Sequence, residues 1–316
     1  MRLGVVFLAL LFAGALAAGE SVSIDIGAGA LYGTLELPAS KPPFPVALLI
    51  SGSGPTDRDG NSRLLPGKNN SLKMLAEGLA GQGIASLRYD KRGIGESKTA
   101  GLKEEDLRFE TYVDDAVRWA QYLRRDHRLH ALVIIGHSEG SLIGMLAARK
   151  LPGDGYISIA GAGRPGGQII LLQLRSQPIP RDLMKQVEDI VSALEQGRTA
   201  DSIPQGFGAL FRESVQPYLI SWFRYDPAKE IAKLTMPVLI LQGTTDIQAS
   251  VSEANLLAGA NPKAKLVVIE GMNHILKEVP EGRDKQIASY SDPSLPLAAK
   301  LVDEISHFIA SSKLQN

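Results

Sequence analysis

A pentapeptide, Gly136-His137-Ser138-Glu139-Gly140, follows a short apolar run at Ala131–Ile135 and leads into a helical pattern. A G-x-S-x-G turn between strand and helix exposes the serine hydroxyl above the sheet, where it can act as a nucleophile. A neutral hydroxyl attacks weakly, so Ser138 needs a base, and the base needs an orienting carboxylate. The chain has five histidines. His127 and His130 precede the nucleophile strand, His137 adjoins Ser138 and suits packing under the turn, and His307 lies on the last helical pattern. His274 follows the last strand-like run, in Glu270-Gly271-Met272-Asn273-His274, where a loop at a strand's carboxyl end could reach the elbow. The run Val238–Leu241 leads likewise into Gln242-Gly243-Thr244-Thr245-Asp246. The chain order Ser138, Asp246, His274 matches a Ser…Asp…His triad. Asp226 and Glu253 compete for the acid role, but neither follows a strand directly. An oxyanion hole takes one N–H from the residue after the nucleophile and another from the loop after an early strand. These are Glu139 and Ser53, the latter in Ser51-Gly52-Ser53-Gly54-Pro55.

Positioning these groups requires a sheet whose strands end on one side. Residues 21–37 alternate with period two and turn at Gly27-Ala28-Gly29, the pattern of an antiparallel hairpin. Short apolar runs recur at Val46–Ile50, Ile84–Leu87, Ala131–Ile135, Tyr156–Ala160, Val238–Leu241 and Leu266–Ile269, as expected of strands buried on both faces. Helical patterns separate most of them. One is expected to be capped by Thr111 and to carry Val113, Ala116, Val117, Ala120 and Leu123 on one face. This alternation predicts an α/β fold with a mostly parallel sheet flanked by helices. Residues 164–235 break it. They carry an amphipathic helix (Leu183, Val187, Ile190, Val191, Leu194) ending near Gly197 and no strand run, which predicts a helical cap insertion. Within it, Phe207, Phe211, Tyr218, Trp222, Phe223 and Tyr225 can either pack the cap onto the sheet or line an acyl pocket.

Composition narrows the function. The 316 residues are 44% hydrophobic and 22% charged, which excludes a disordered chain. With no cysteine there is no thiolate nucleophile, disulfide framework or Cys-ligated metal site. Lys plus Arg and Asp plus Glu are both 34, so no bulk charge favours nucleic acid. Arg2, the apolar run from Leu3 and the ending Ala15-Leu16-Ala17-Ala18-Gly19 read as a signal peptide over residues 1–17, cut between Ala17 and Ala18. The expectation is an exported protein, periplasmic or secreted, with no stable membrane insertion once the leader is removed. Residues 18–316 then form the sheet domain with its cap at 164–235.

Three segments together resemble the α/β-hydrolase superfamily. Gly136–Gly140 is similar to its nucleophile elbow, Asp90–Ser97 to its D-x-R-G-x-G-x-S turn, and Ser51–Asp59 to the S-G-S-G-P-x-D-R-D segment of exported esterase-like members. Those members are grouped with serine aminopeptidase-type hydrolases. The resemblance implies an eight-stranded sheet, a cap over the site, and Ser138, Asp246 and His274 as triad. Many relatives have His where Ser51 stands. In the Asp90–Ser97 turn, Asp90 and Arg92 are expected to fix the loop by charge-assisted hydrogen bonds, with Asp57-Arg58-Asp59 joining them. Gly161-x-Gly163-x-x-Gly166 matches a dinucleotide fingerprint only formally, because no second strand follows.

The reading is a serine esterase acting on a small-molecule acyl ester through an acyl-enzyme, with no cofactor or metal. Alternatives are an amide or peptide hydrolase, a thioesterase or acyltransferase with the same triad, and a catalytically silent binding protein.

Overall fold

The computed structural model describes residues 19–311. The signal-peptide expectation for residues 1–17 lies outside them. The chain opens with the antiparallel pair β1 (Glu20–Asp25) and β2 (Ala30–Glu36). It continues through β3 (Phe44–Ile50), α1 (Ser71–Gly81), β4 (Ala85–Tyr89), α2 (Phe109–Arg124), β5 (Leu129–His137), α3 (Glu139–Lys150) and β6 (Gly155–Ile159). Between β6 and β7 there are helices and no strand: α4 (Gly166–Arg175), α5 (Arg181–Glu195), α6 (Gly208–Phe211), α7 (Gln216–Phe223) and α8 (Pro227–Ile231). The last part is β7 (Val238–Gly243), α9 (Val251–Ala260), β8 (Lys265–Ile269), α10 (Arg283–Ser289) and α11 (Ala299–Ala310).

The eight strands form one sheet in the order β1-β2-β4-β3-β5-β6-β7-β8. β2 pairs antiparallel with β1 and β4, and all other pairings are parallel. The apolar runs split by strand alternation into two cores. Leu48, Ile50, Leu87, Ile134, Tyr156 and Ile240 pack on α2, α3 and the helices between β6 and β7. Leu49, Val133, Ile135, Ile157, Leu239 and Leu241 pack on α1 and α11. Continuous apolar strands follow from covering both faces.

Two local expectations are corrected. Thr111 does not start α2. The helix begins at Phe109, whose N–H is accepted by Ser221 Oγ at 2.8 Å, and Thr111 Oγ1 accepts the Arg108 N–H at 3.4 Å from inside the first turn. Arg92 does not pair with Asp90. It grips Asp115 of α2 through two bonds of 2.6 and 2.7 Å, while Asp90 is held by Arg58 Nη2 at 2.7 Å and by the N–H groups of Arg58 and Glu96. The reason is reach: the chain turns after Lys91 and aims Arg92 at α2, which leaves Asp90 facing the loop after β3. Arg58 thus joins the turn as expected, and Asp59 enters it by accepting from Arg88 Nε at 2.8 Å.

Candidate active site

In a parallel sheet the carboxyl ends of neighbouring strands share one edge, and ligands bind in the crevice beyond it. The register places Ile50 beside Gly136, His137 beside Ile159, and Gly243 beside Ile269. The segments after β3, β5, β7 and β8 therefore meet at one edge, and they carry Ser53, Ser138, Asp246 and His274.

Ser138 has φ 55° and ψ −122°, a left-handed-side conformation that costs an L-residue on the order of 1–3 kcal/mol. Its neighbours make that turn possible by lacking a Cβ. A side chain at Gly136 would collide with the Gly140 carbonyl, and one at Gly140 with the Ile50 carbonyl. The Ser138 N–H donates to the Ile159 carbonyl at 2.9 Å, tying the turn to β6. Its hydroxyl lies 3.1 Å from His274 Nε2. On the other side of the ring, His274 Nδ1 lies 2.8 Å from Asp246 Oδ2. A carboxylate accepts, so Nδ1 carries the proton and Nε2 is free to accept one from Ser138.

Asp246 is buried, which pushes its carboxyl up, but the His274 imidazole and hydrogen bonds to the carboxylate outweigh that and hold it below the ordinary value. Its Oδ1 accepts the N–H groups of Gln248 (2.7 Å) and Ala249 (3.0 Å), and Oδ2 accepts from Gln242 Nε2 at 3.1 Å. The loops bearing acid and base are laced together. The Thr245 N–H donates to the Met272 carbonyl, Thr245 Oγ1 to the Gly271 carbonyl, and the Gly271 N–H to Thr244 Oγ1. The two competing acids have other duties. Asp226 caps α8, and Glu253 accepts the N–H groups of Gly163 and Arg164.

His137 lies against His274. Its Nε2–H donates to the His274 carbonyl at 2.7 Å, with ring centres 5.0 Å apart. Burial, helped by the nearby His274 ring, lowers its pKa to about 4. A histidine kept neutral when folded but titrating near 6.5 when unfolded makes the unfolded state bind more protons between those values. Stability must then rise with pH across roughly pH 4 to 6.5, by about 3 kcal/mol in all. Replacing His137 with Gln, which retains an N–H donor, flattens this rise. Thermal midpoints measured from pH 4 to 7 check it, and parallel curves for the two proteins would count against it.

The expected oxyanion donors flank the nucleophile. A Cβ on Gly52 would stand 3.1 Å from Ser138 Cβ and 3.6 Å from Ser138 Oγ, so the loop after β3 touches the elbow and only glycine fits there without displacement. Ser53 is the next residue. Glu139 opens α3, where the first N–H groups lack intrahelical partners. The Glu139 side chain turns inward, against Lys91 and Tyr218. Ser51 Oγ is buried with no hydrogen-bond partner among the described residues, so no polar role attaches to it.

The loop holding Ser53 is braced by its own polar residues. Asp57 Oδ1 accepts the N–H groups of Asp59 and Asn61, and Asn61 Oδ1 accepts those of Asn69 and Asn70. The cap aromatics pack as a cluster around Phe109 of α2. Trp222 stacks on it at 6.1 Å, and Tyr218 and Tyr225 lie at 6.0 and 5.7 Å. Gly161, Gly163 and Gly166 are packing positions, where a Cβ would meet Ser158, Glu253 and Trp222 respectively, and α4 leads into another helix rather than a strand.

Sequence reasoning passed over three contributors: Gln242 on Asp246, the His137 bond to the His274 backbone, and Lys91. The only signal for each was a polar residue ending an apolar strand run.

Among known proteins, the description "Serine aminopeptidase, S33" matches residues 68–202, which include the elbow but neither Asp246 nor His274. Esterase EstD of Thermotoga maritima is 28% identical over 260 residues, covering 80% of this chain and 59% of the esterase's own length. Human monoglyceride lipase is 25% identical over 228 residues, covering 66% of this chain and 72% of the lipase. Among solved structures, Est1E from Butyrivibrio proteoclasticus superposes with a TM-score of 0.60 at 18% identity, covering 93% of this chain and all of the other. The sheet order, the strand–elbow–helix turn and the superposition on Est1E together give this chain the α/β-hydrolase fold, and its sequence is similar to esterases and, over residues 68–202, to the serine aminopeptidase description.

Proposed function

We propose that this chain is a serine hydrolase that cleaves carboxylic esters through an acyl-enzyme. The observation that carries this is the continuous line Ser138 Oγ, His274, Asp246, with separations of 3.1 and 2.8 Å. His274 Nε2 takes the proton as Ser138 attacks the ester carbonyl. The N–H groups of Ser53 and Glu139 stabilise the tetrahedral oxyanion. The alcohol departs with the proton from His274, and water repeats the sequence on the acyl group. Throughout, Asp246 keeps the imidazole in its Nδ1–H form and offsets its positive charge.

The match to a serine aminopeptidase description keeps amide hydrolysis as the second reading. Esters are favoured because an aminopeptidase needs an anion for the substrate's free α-ammonium. The two carboxylates tied to the elbow are already engaged, Asp246 with His274 and Glu139, the residue after Ser138, with Lys91 and Tyr218. Relatives named esterase, methylesterase and monoglyceride lipase point the same way. A thioesterase or acyltransferase would share the first half-reaction and differ in the group attacked or accepting.

Comparing p-nitrophenyl acyl esters with aminoacyl p-nitroanilides on the purified protein separates the readings. Faster ester turnover is expected, and faster anilide turnover overturns the ester assignment. A wild-type protein that is folded yet neither turns over esters nor reacts with a fluorophosphonate would instead be a binding protein. We also propose export, from the Arg2-led apolar segment and its Ala15-Leu16-Ala17 ending. N-terminal sequencing of the mature protein tests this: a start at Ala18 is expected, and a retained Met1 counts against it.

A further inference from the structure

Lys91 follows β4 and is only 1% exposed, yet it has no place in the triad. Its ammonium donates to the Gly52 carbonyl at 2.5 Å and to Glu139 Oε2 at 3.3 Å, and lies 5.1 Å from the centre of the Tyr112 ring. The other oxygen of Glu139 accepts from the Tyr218 hydroxyl of α7 at 2.7 Å. Taking an ion pair out of water is costly, and apolar side chains of similar volume often serve stability as well. The pair therefore calls for a reason beyond holding the fold.

Peptide geometry supplies one. The Gly52 carbonyl and the Ser53 N–H belong to the same planar unit and point in opposite directions. A carbonyl drawn to the Lys91 ammonium leaves the Ser53 N–H facing away from it. The same ammonium grips the side chain of Glu139, whose backbone N–H is the second donor. One buried cation thus holds the peptide that carries the Ser53 N–H and the side chain of Glu139, and Tyr218 ties the assembly to the helical segment between β6 and β7.

We propose that Lys91 is a positioning residue that sets the direction of the Gly52–Ser53 peptide and so pre-organises the oxyanion hole. This rests on the serine-hydrolase reading above. A group acting this way affects the transition state more than the bound ester, because the oxyanion develops only as the carbonyl is attacked.

The test uses Lys91→Met, together with Lys91→Met/Glu139→Gln, which leaves no unpaired buried carboxylate if the single variant folds poorly. The expected result in the folded variant is a kcat lower by about 10- to 100-fold, less than outright loss of a donor, with KM within about 2-fold. Affinity for an alkyl boronic acid, whose anionic adduct on Ser138 occupies the same hole, should fall by a similar factor. A merely structural role would lower the thermal midpoint without weakening the boronate selectively. If kcat and boronate affinity match wild type in whichever variant folds, or if KM alone rises, the proposal is wrong. A wild-type protein inert to both ester and fluorophosphonate removes the hydrolase reading and this proposal with it. An active wild type with indifferent variants removes this proposal only.

Discussion

Ser138→Ala should lower kcat for ester hydrolysis by about six orders of magnitude, leave KM within a few-fold, and abolish fluorophosphonate labelling. The size follows from how the triad works. In the proposed mechanism attack, proton transfer and acyl-enzyme formation all pass through the Ser138 hydroxyl, which lies 3.1 Å from His274 Nε2. His274→Ala should cost about as much, and the double variant little more, because the two act as one unit. What remains should be roughly 10³- to 10⁴-fold over water, from the oxyanion donors and substrate binding. The variant should fold, since alanine bears the same backbone cost at φ 55° as serine. Ser138→Gly should also be inactive but more stable, because glycine meets no such penalty. Steady-state kinetics, mass-spectrometric labelling and thermal melts check each part. Residual labelling of Ser138→Ala would mean that another residue carries the chemistry.

Asp246→Asn should lower kcat by about 10⁴ with little change in fold. An Asn side chain can still accept the N–H groups of Gln248 and Ala249 through its oxygen. Its amide then faces His274 Nδ1 as a donor and favours the tautomer with the proton on Nε2, which cannot accept one from Ser138. The charge that offsets the imidazolium also disappears. A loss of less than about tenfold would make Asp246 a structural acid and reopen the choice of carboxylate. The wild-type carboxyl lies below its ordinary value despite burial, so Asp246 stays ionised throughout the neutral range. Because the folded value is the lower one, its contribution to stability is complete above the usual carboxylate range. That contribution is lost as pH falls towards the folded value. This acid loss lies below the window set by His137, so the two separate along a pH titration of the melting temperature.

The elements were legible because their signals are local. Each buried parallel strand must be apolar on both faces, which marks Val46–Ile50, Ala131–Ile135 and Val238–Leu241 in the sequence. The helix α5 shows its period and its Gly197 terminator, which has φ 77°. The order of Ser138, Asp246 and His274 was readable because each stands just past a strand, and parallel strands bring their ends to one edge. The roles of Gly136 and Gly140 were visible only in outline. Their need for no side chain comes from the Gly140 and Ile50 carbonyls pressed against them, a matter of close approach rather than backbone angle.

Charged partners were the least legible. Asp90 and Arg92 are two residues apart, yet they serve different elements, Arg58 for one and Asp115 for the other. A long side chain can reach several carboxylates, and only the path of the backbone selects one. The cap aromatics illustrate the same limit. Their composition allowed an acyl pocket or packing, and the position of Phe109 gathers Tyr218, Trp222 and Tyr225 into a packed cluster.

By itself, then, the sequence determined the α/β layering, the sharp turn at Ser138 and the placement of Ser138, Asp246 and His274 just past strand ends, because each depends on residues close in the chain. Tertiary structure alone decided that Lys91 reaches Gly52 across 39 positions and Glu139 across 48, and that His137 holds the backbone of His274 across 137. Those bonds form only after the strands have paired and water has been excluded from between them, and no local pattern of residue types encodes them.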